Sequence, residues 1–96
     1  MLNSKMIEVL QAPTFEKKVK KLHKNQKGDL DVAIRQIVTD PFLGEMKKSD
    51  LSGVRVYKFK MVGQLTLLAY TFYENELQLM LLSFGSHENF YRDLKK

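Results

Sequence analysis

Apolar positions recur with two different periods along this chain, and each period predicts its own kind of element. In "FEKKVKKLHK", Phe15, Val19 and Leu22 fall at i, i+4 and i+7, while Lys17, Lys18, Lys20, Lys21 and Lys24 take the remaining surface. That spacing predicts an amphipathic helix with one narrow apolar stripe. Pro13 ends a short strand expected over "KMIEVLQA" and opens the helix, with Thr14 and Glu16 in its first turn. Gly28 is expected to break the helix, and Asp29 to cap a second one. In that second helix Leu30, Ala33, Ile34, Ile37 and Val38 follow i, i+3, i+4, i+7 and i+8 until Asp40-Pro41 stops it. The two segments predict an antiparallel helix hairpin.

After the loop "DPFLGEMKKSDLSG" the period becomes two. "VRVYKFKM" alternates, Gly63 marks a turn, "QLTLLAYTFY" is a long apolar strand, Glu74-Asn75 turn the chain, and "ELQLMLLSF" forms a further strand. These three predict an antiparallel meander. The central strand is apolar at nearly every position, which implies that both of its faces are at least partly covered. The helix hairpin would cover one face and a short terminal helix part of the other. The expected fold is α+β, in the order β-α-α-β-β-β-α, with residues 1–96 as one domain.

Composition narrows the classes. A chain of 96 residues, 44% hydrophobic and 28% charged, has room for one modest core. Sixteen Lys and Arg against eleven Asp and Glu give a net charge of +5 and favour polyanionic or acidic partners. With no cysteine there is no disulfide or thiolate metal site, and a reducing cytoplasm is compatible. No apolar run has the length of a membrane span or signal-peptide core. The expectation is a soluble cytoplasmic protein with no membrane association.

Two constellations carry possible chemistry. In "YKFKM", alternation puts Lys58 and Lys60 on one strand face with Val54 and Val56, and Arg55, Tyr57, Phe59 and Met61 on the other. If the aromatic residues face the helices, both lysines face outward, about 7 Å apart, close to the phosphate spacing of an extended single strand. A lysine-guarded strand edge explains the same pattern. In "GSHENFY", Ser86 is placed to cap a short helix after a glycine turn at Gly85, which puts His87 in its first turn, where an anion is favoured. His87 and Tyr91 share a face at i and i+4, beside Arg92, Lys95 and Lys96, whereas Phe90 and Leu94 form the anchoring pair. A titratable histidine beside a phenol and several cations suits acid-base cleavage of RNA, in which a 2′-hydroxyl attacks the adjacent phosphorus. Taken alone, a lone surface histidine is more often incidental than catalytic. The lysines of the first helix could contact nucleic-acid backbone or form a solvated face, and His23 reads as a solvated helix residue. Two histidines without cysteine give no metal-ligand spacing, so neither metal nor cofactor is expected.

The order of elements, with "GVRVYKFKMVGQ" and "LLSFGSHENFYRDLK", resembles the RelE/ParE superfamily of toxins from bacterial type II toxin-antitoxin systems, particularly its ParE-like subgroup. The resemblance covers nearly the whole chain. "YKFKM" is similar to the strand whose alternate lysines contact messenger RNA in RelE-type ribonucleases, which implies that role for Lys58 and Lys60. "GSHENFY" resembles the closing motif of YafQ-like members, which implies catalytic roles for His87 and Tyr91. The strand-three arginine that many RelE members supply for the scissile phosphate has no equivalent in "GQLTLLAY", where only Gln64 and Thr66 are polar. Arg55 could take its place only if its side chain reached the open face, against the alternation of its strand; Arg92 is the other candidate, and Lys95 is a further RNA-binding cation. The resemblance implies a ribosome-dependent messenger-RNA endonuclease that needs no metal, with the ribosome, mRNA and a cognate antitoxin protein as partners. The alternative it implies is a non-hydrolytic inhibitor of DNA gyrase, and a third is a degenerate toxin that only binds its antitoxin.

Overall fold

A computed structural model gives the fold and describes residues 7–48, 51–86 and Phe90. Among them the chain runs β1 (Glu8–Gln11), α1 (Pro13–Lys20), α2 (Lys24–Thr39), β2 (Glu45–Met46), β3 (Arg55–Met61), β4 (Gln64–Tyr73) and β5 (Gln78–Ser86), with a 3-10 turn at Glu74–Glu76. The strands form one sheet in the order β1-β5-β4-β3-β2. β3, β4 and β5 make the expected antiparallel meander. β1 adds to β5 in parallel, so the sheet is mixed. The α+β class holds.

Three boundaries differ from the sequence expectation. Gly28 does not break a helix, and Asp29 does not cap one: both lie inside α2. The chain breaks earlier, at Lys21–His23, where the His23 N–H donates to Gln26 Oε1 at 2.8 Å and closes the entry to α2. A glycine in an exposed helix interior costs about 1 kcal/mol relative to alanine, too little to end a helix that packs well on its other face. Asp29 instead accepts the Val62 N–H at 2.7 Å. That bond ties α2 to the β3–β4 turn, where Val62 and Gly63 both have positive φ (49° and 78°), the conformation of a tight hairpin turn.

The second difference is β2, two residues within the expected loop. Glu45 pairs with Val56 and Met46 with Arg55, and the Lys47 N–H donates to Val54 O. The third is that Gly85 is no turn. β5 continues through Gly85 and Ser86, opposite Leu67 and Thr66. The register shifts between Ala69 and Tyr70, whose partners are Ser83 and Leu81, so Leu82 is an extra bulged residue.

The helices cover one sheet face. α1 lies against β5 and α2 against β3, and Phe15, Leu30, Ala33 and Ile37 meet Leu68, Tyr70, Leu79, Leu81 and Phe84. Phe15 and Phe84 pack edge to face with ring centroids 5.2 Å apart. On the other face Val56, Leu67 and Ala69 pack with Phe90, which is helical and only 2% exposed. β4 is buried from Thr66 to Tyr70, as its unbroken apolar run requires. Among the described residues no helix is long and apolar enough to cross a membrane.

Candidate RNA-binding face

Alternation along β3 decides where its side chains stand. Tyr57, Phe59 and Met61 join the helix-side cluster, and Val56 joins the opposite one, so Lys58 and Lys60 are exposed on the face away from the helices. Lys58 stands opposite Leu67, which stands opposite Gly85; Lys60 stands opposite Leu65. The neighbouring row is Phe59–Thr66–Ser86. Two interstrand spacings, roughly 10 Å, therefore separate the lysine strand from the point where β5 ends at Ser86. His87, Tyr91, Arg92 and Lys95 lie outside the described residues.

Arg55 is committed elsewhere. Its Nη1 donates to the carbonyls of Gly44 (2.8 Å) and Phe42 (3.2 Å), and its guanidinium lies over the Phe42 ring, 5.1 Å from the centroid. These contacts fasten the loop before β2 and do not bring Arg55 to Lys58 and Lys60. Thr66 is buried and its hydroxyl donates to Gln64 O, so β4 supplies no cation to the open face. His23 is exposed at the start of α2, not within the first helix.

Near the same loop, the Tyr70 hydroxyl donates to Pro41 O and accepts from Gly44 N–H, both at 2.8 Å. A Cβ at Gly44 would come within 2.8 Å of the Tyr70 ring and hydroxyl, which is why glycine stands there. Burial raises the pKa of this phenol above its ordinary value of 10.0.

Two further features escaped the sequence reading. Lys18, assigned there to a lysine-rich helix surface, is partly buried and its Nζ donates to Phe84 O at 2.8 Å. That bond depends on α1 packing against β5, which no local pattern encodes. The other is a cleft of about 220 Å³ between α2 and β3, lined by Val32, Gln36, Tyr57, Phe59 and Lys60 among others. The Tyr57 and Phe59 rings stack nearly parallel there, 6.3 Å apart, and Val32 is 51% exposed. Val32 falls off the apolar stripe of its helix, and that displacement was the available signal.

The profile of the ParE-like toxins of type II bacterial toxin-antitoxin systems matches residues 9–95. No curated protein sequence matches the chain. Among solved structures, the fold is similar to that of the intact RelBE toxin-antitoxin complex of Escherichia coli, with a TM-score of 0.68, 17% identity, and coverage of 85% of this chain and 98% of that one. The RelBE2 toxin-antitoxin complex of Mycobacterium tuberculosis gives a TM-score of 0.70 at 16% identity, over 84% of this chain and 98% of that one. A mutant of the E. coli toxin RelE bound to a peptide of antitoxin RelB gives 0.68 at 16%, over 95% and 96%. At these identities the likeness speaks for the fold; the profile, spanning nearly every residue, speaks for the family. This chain belongs to the ParE-like toxins of bacterial type II toxin-antitoxin systems.

Proposed function

We propose that this toxin is a ribosome-dependent messenger-RNA endonuclease that arrests translation. The observation that carries the reading is the pair of exposed lysines, Lys58 and Lys60, on the sheet face away from the helices. Lys58 and Lys60 hold backbone phosphate. A 2′-hydroxyl attacks the adjacent phosphorus, forming a 2′,3′-cyclic phosphate and breaking the bond to the 5′-oxygen, which leaves with a proton. His87 serves as general acid or base and Tyr91 orients the nucleotide or assists the transfer. The cationic face stabilises the extra negative charge of the transition state.

The partner is a cognate antitoxin protein. The solved relatives include toxins held by their antitoxins, and this chain offers an apolar cleft between α2 and β3, together with a net positive charge, to an acidic amphipathic segment. The gyrase reading keeps one observation in its favour, the ParE-like profile itself. Inducing the chain in cells without antitoxin, and following protein synthesis and DNA supercoiling together, separates the two. Translation should stop first, with supercoiling unchanged; DNA breaks with intact messages would support gyrase.

A further inference from the structure

β3 is paired along its whole length on one side and only at its start on the other. β4 accompanies it from Arg55 to Met61, whereas β2 pairs with Arg55 and Val56 alone. Alternation fixes which main-chain groups face the outer margin. The Lys47 N–H donates to Val54 O on that side, so every second residue onward, Val56, Lys58, Lys60 and Val62, turns its N–H and C=O the same way. Both ends of this row are occupied: Glu45 lies against Val56, and Asp29 Oδ2 accepts the Val62 N–H at 2.7 Å. Between them, the main-chain groups of Lys58 and Lys60 have no strand beside them among the described residues. Continued in register, β2 would set Leu43 against Lys58. The chain is instead drawn away, with the Leu43 N–H donated to Asp40 O at 3.0 Å and the Gly44 N–H to the Tyr70 hydroxyl at 2.8 Å. On the helix side of this stretch lies the cleft walled by Val32, Tyr57 and Phe59; on the other side the Lys58 and Lys60 side chains are exposed.

We infer that an extended segment of the antitoxin adds to this margin as a short strand, with an acidic, an apolar and an acidic residue opposite Lys58, Phe59 and Lys60. The inference rests on the antitoxin reading above and gives that partner its binding mode. Residues directly opposite each other in a strand pair share a face. The partners of Lys58 and Lys60 therefore stand on the open face beside the two ammonium groups, where carboxylates fit. The residue between them points to the helix side, where Val32, Tyr57 and Phe59 offer apolar contact. Main-chain bonds to Lys58 and Lys60 hold the segment, and its alternate side chains select it. Lysines on a strand edge deter pairing with other chains in general, and the same charge admits an acidic one. Carboxylate and RNA phosphate would meet the same two ammonium groups, so a bound segment excludes RNA from them.

The test uses the full chain and a short fluorescein-labelled synthetic peptide of alternating Glu and Val, followed by anisotropy and by NMR hydrogen exchange of single toxin amides. In the free protein the Lys58 and Lys60 amides should exchange fast, while those of Tyr57 and Phe59, which face β4, exchange slowly. Saturating peptide should protect Lys58 and Lys60. N-methylating the Glu residues of the peptide removes the N–H groups that would face β3 and should weaken binding about tenfold, the loss of two main-chain hydrogen bonds. N-methylating the Val residues, whose N–H groups point away from β3, should leave affinity unchanged. If the peptide binds with no difference between the two methylated forms, or with the loss at Val, and Lys58 and Lys60 still exchange fast, the segment sits in the cleft without a ladder. That result overturns the inference while the antitoxin reading stands. If the Glu-Val peptide does not bind at all, the acidic-segment reading and the inference fall together.

Discussion

Tyr70 shows how one residue can hold a loop that its own element never touches in sequence. Tyr70→Phe would leave Gly44 N–H and Pro41 O without their partner, and should cost about 2 kcal/mol in denaturant unfolding. The pH dependence has a definite sign. Burial raises the folded pKa, so as pH climbs past 10.0 the unfolded chain loses the phenol proton first. Tyr70's contribution is complete below that pH and is lost as pH rises through the folded value, and Tyr70→Phe should remove this part of the alkaline decline. His87 is the opposite kind of residue, read for chemistry and not for packing. His87→Ala should abolish growth arrest while leaving antitoxin binding and melting temperature nearly intact. Tyr91→Phe should be mild if the ring stacks on a base and nearly as severe if the phenol moves a proton. A fully toxic His87→Ala protein would remove both residues from the mechanism.

Elements were legible wherever local chemistry sets their ends. Pro13 opens α1, Asp40-Pro41 closes α2, and the Val62–Gly63 and Glu74–Glu76 turns bound β4 where the alternation said they would. The failures share a cause, which is that a distant partner made the decision. β2 exists because β3 offers it a ladder, and β5 reaches Ser86 because β4 continues beside it. The start of α2 was missed because its entry is closed by His23 and Gln26, outside the usual Ser, Thr, Asp and Asn caps. In the candidate site, period two put Lys58 and Lys60 on one face and the packing of Tyr57, Phe59 and Met61 under the helices made that face the outward one, while Lys18 needed α1 to be packed on β5 before its bond to Phe84 could be read. Phe90, the expected anchor of the terminal helix, is buried against Val56, Leu67 and Ala69. Phe90→Ala should cost on the order of 3 kcal/mol in thermal or denaturant melts and reduce activity only through unfolding. Full activity loss without loss of stability would give Phe90 a role beyond packing.

For the whole molecule, the fold separates two surfaces. One sheet face is sealed by α1 and α2 and carries the main core; the other carries Phe90 over its middle and leaves the lysines exposed. Because Lys58 and Lys60 support no core contact, replacing both by alanine should weaken ribosome or RNA association and flatten its salt dependence without changing the melting temperature. Unchanged affinity and salt slope would make them ordinary surface charges.

The central claim, that this toxin cuts messages on ribosomes, has one direct test. Purified protein is incubated with a defined message in the presence and absence of purified ribosomes, without added metal-dependent nuclease, and the RNA ends are mapped. The account predicts cleavage within the translated region only when ribosomes are present, leaving a 2′,3′-cyclic phosphate and a 5′-hydroxyl, and lost in His87→Ala. An intact message under those conditions, alongside double-strand breaks when the same protein meets gyrase and DNA, would contradict it.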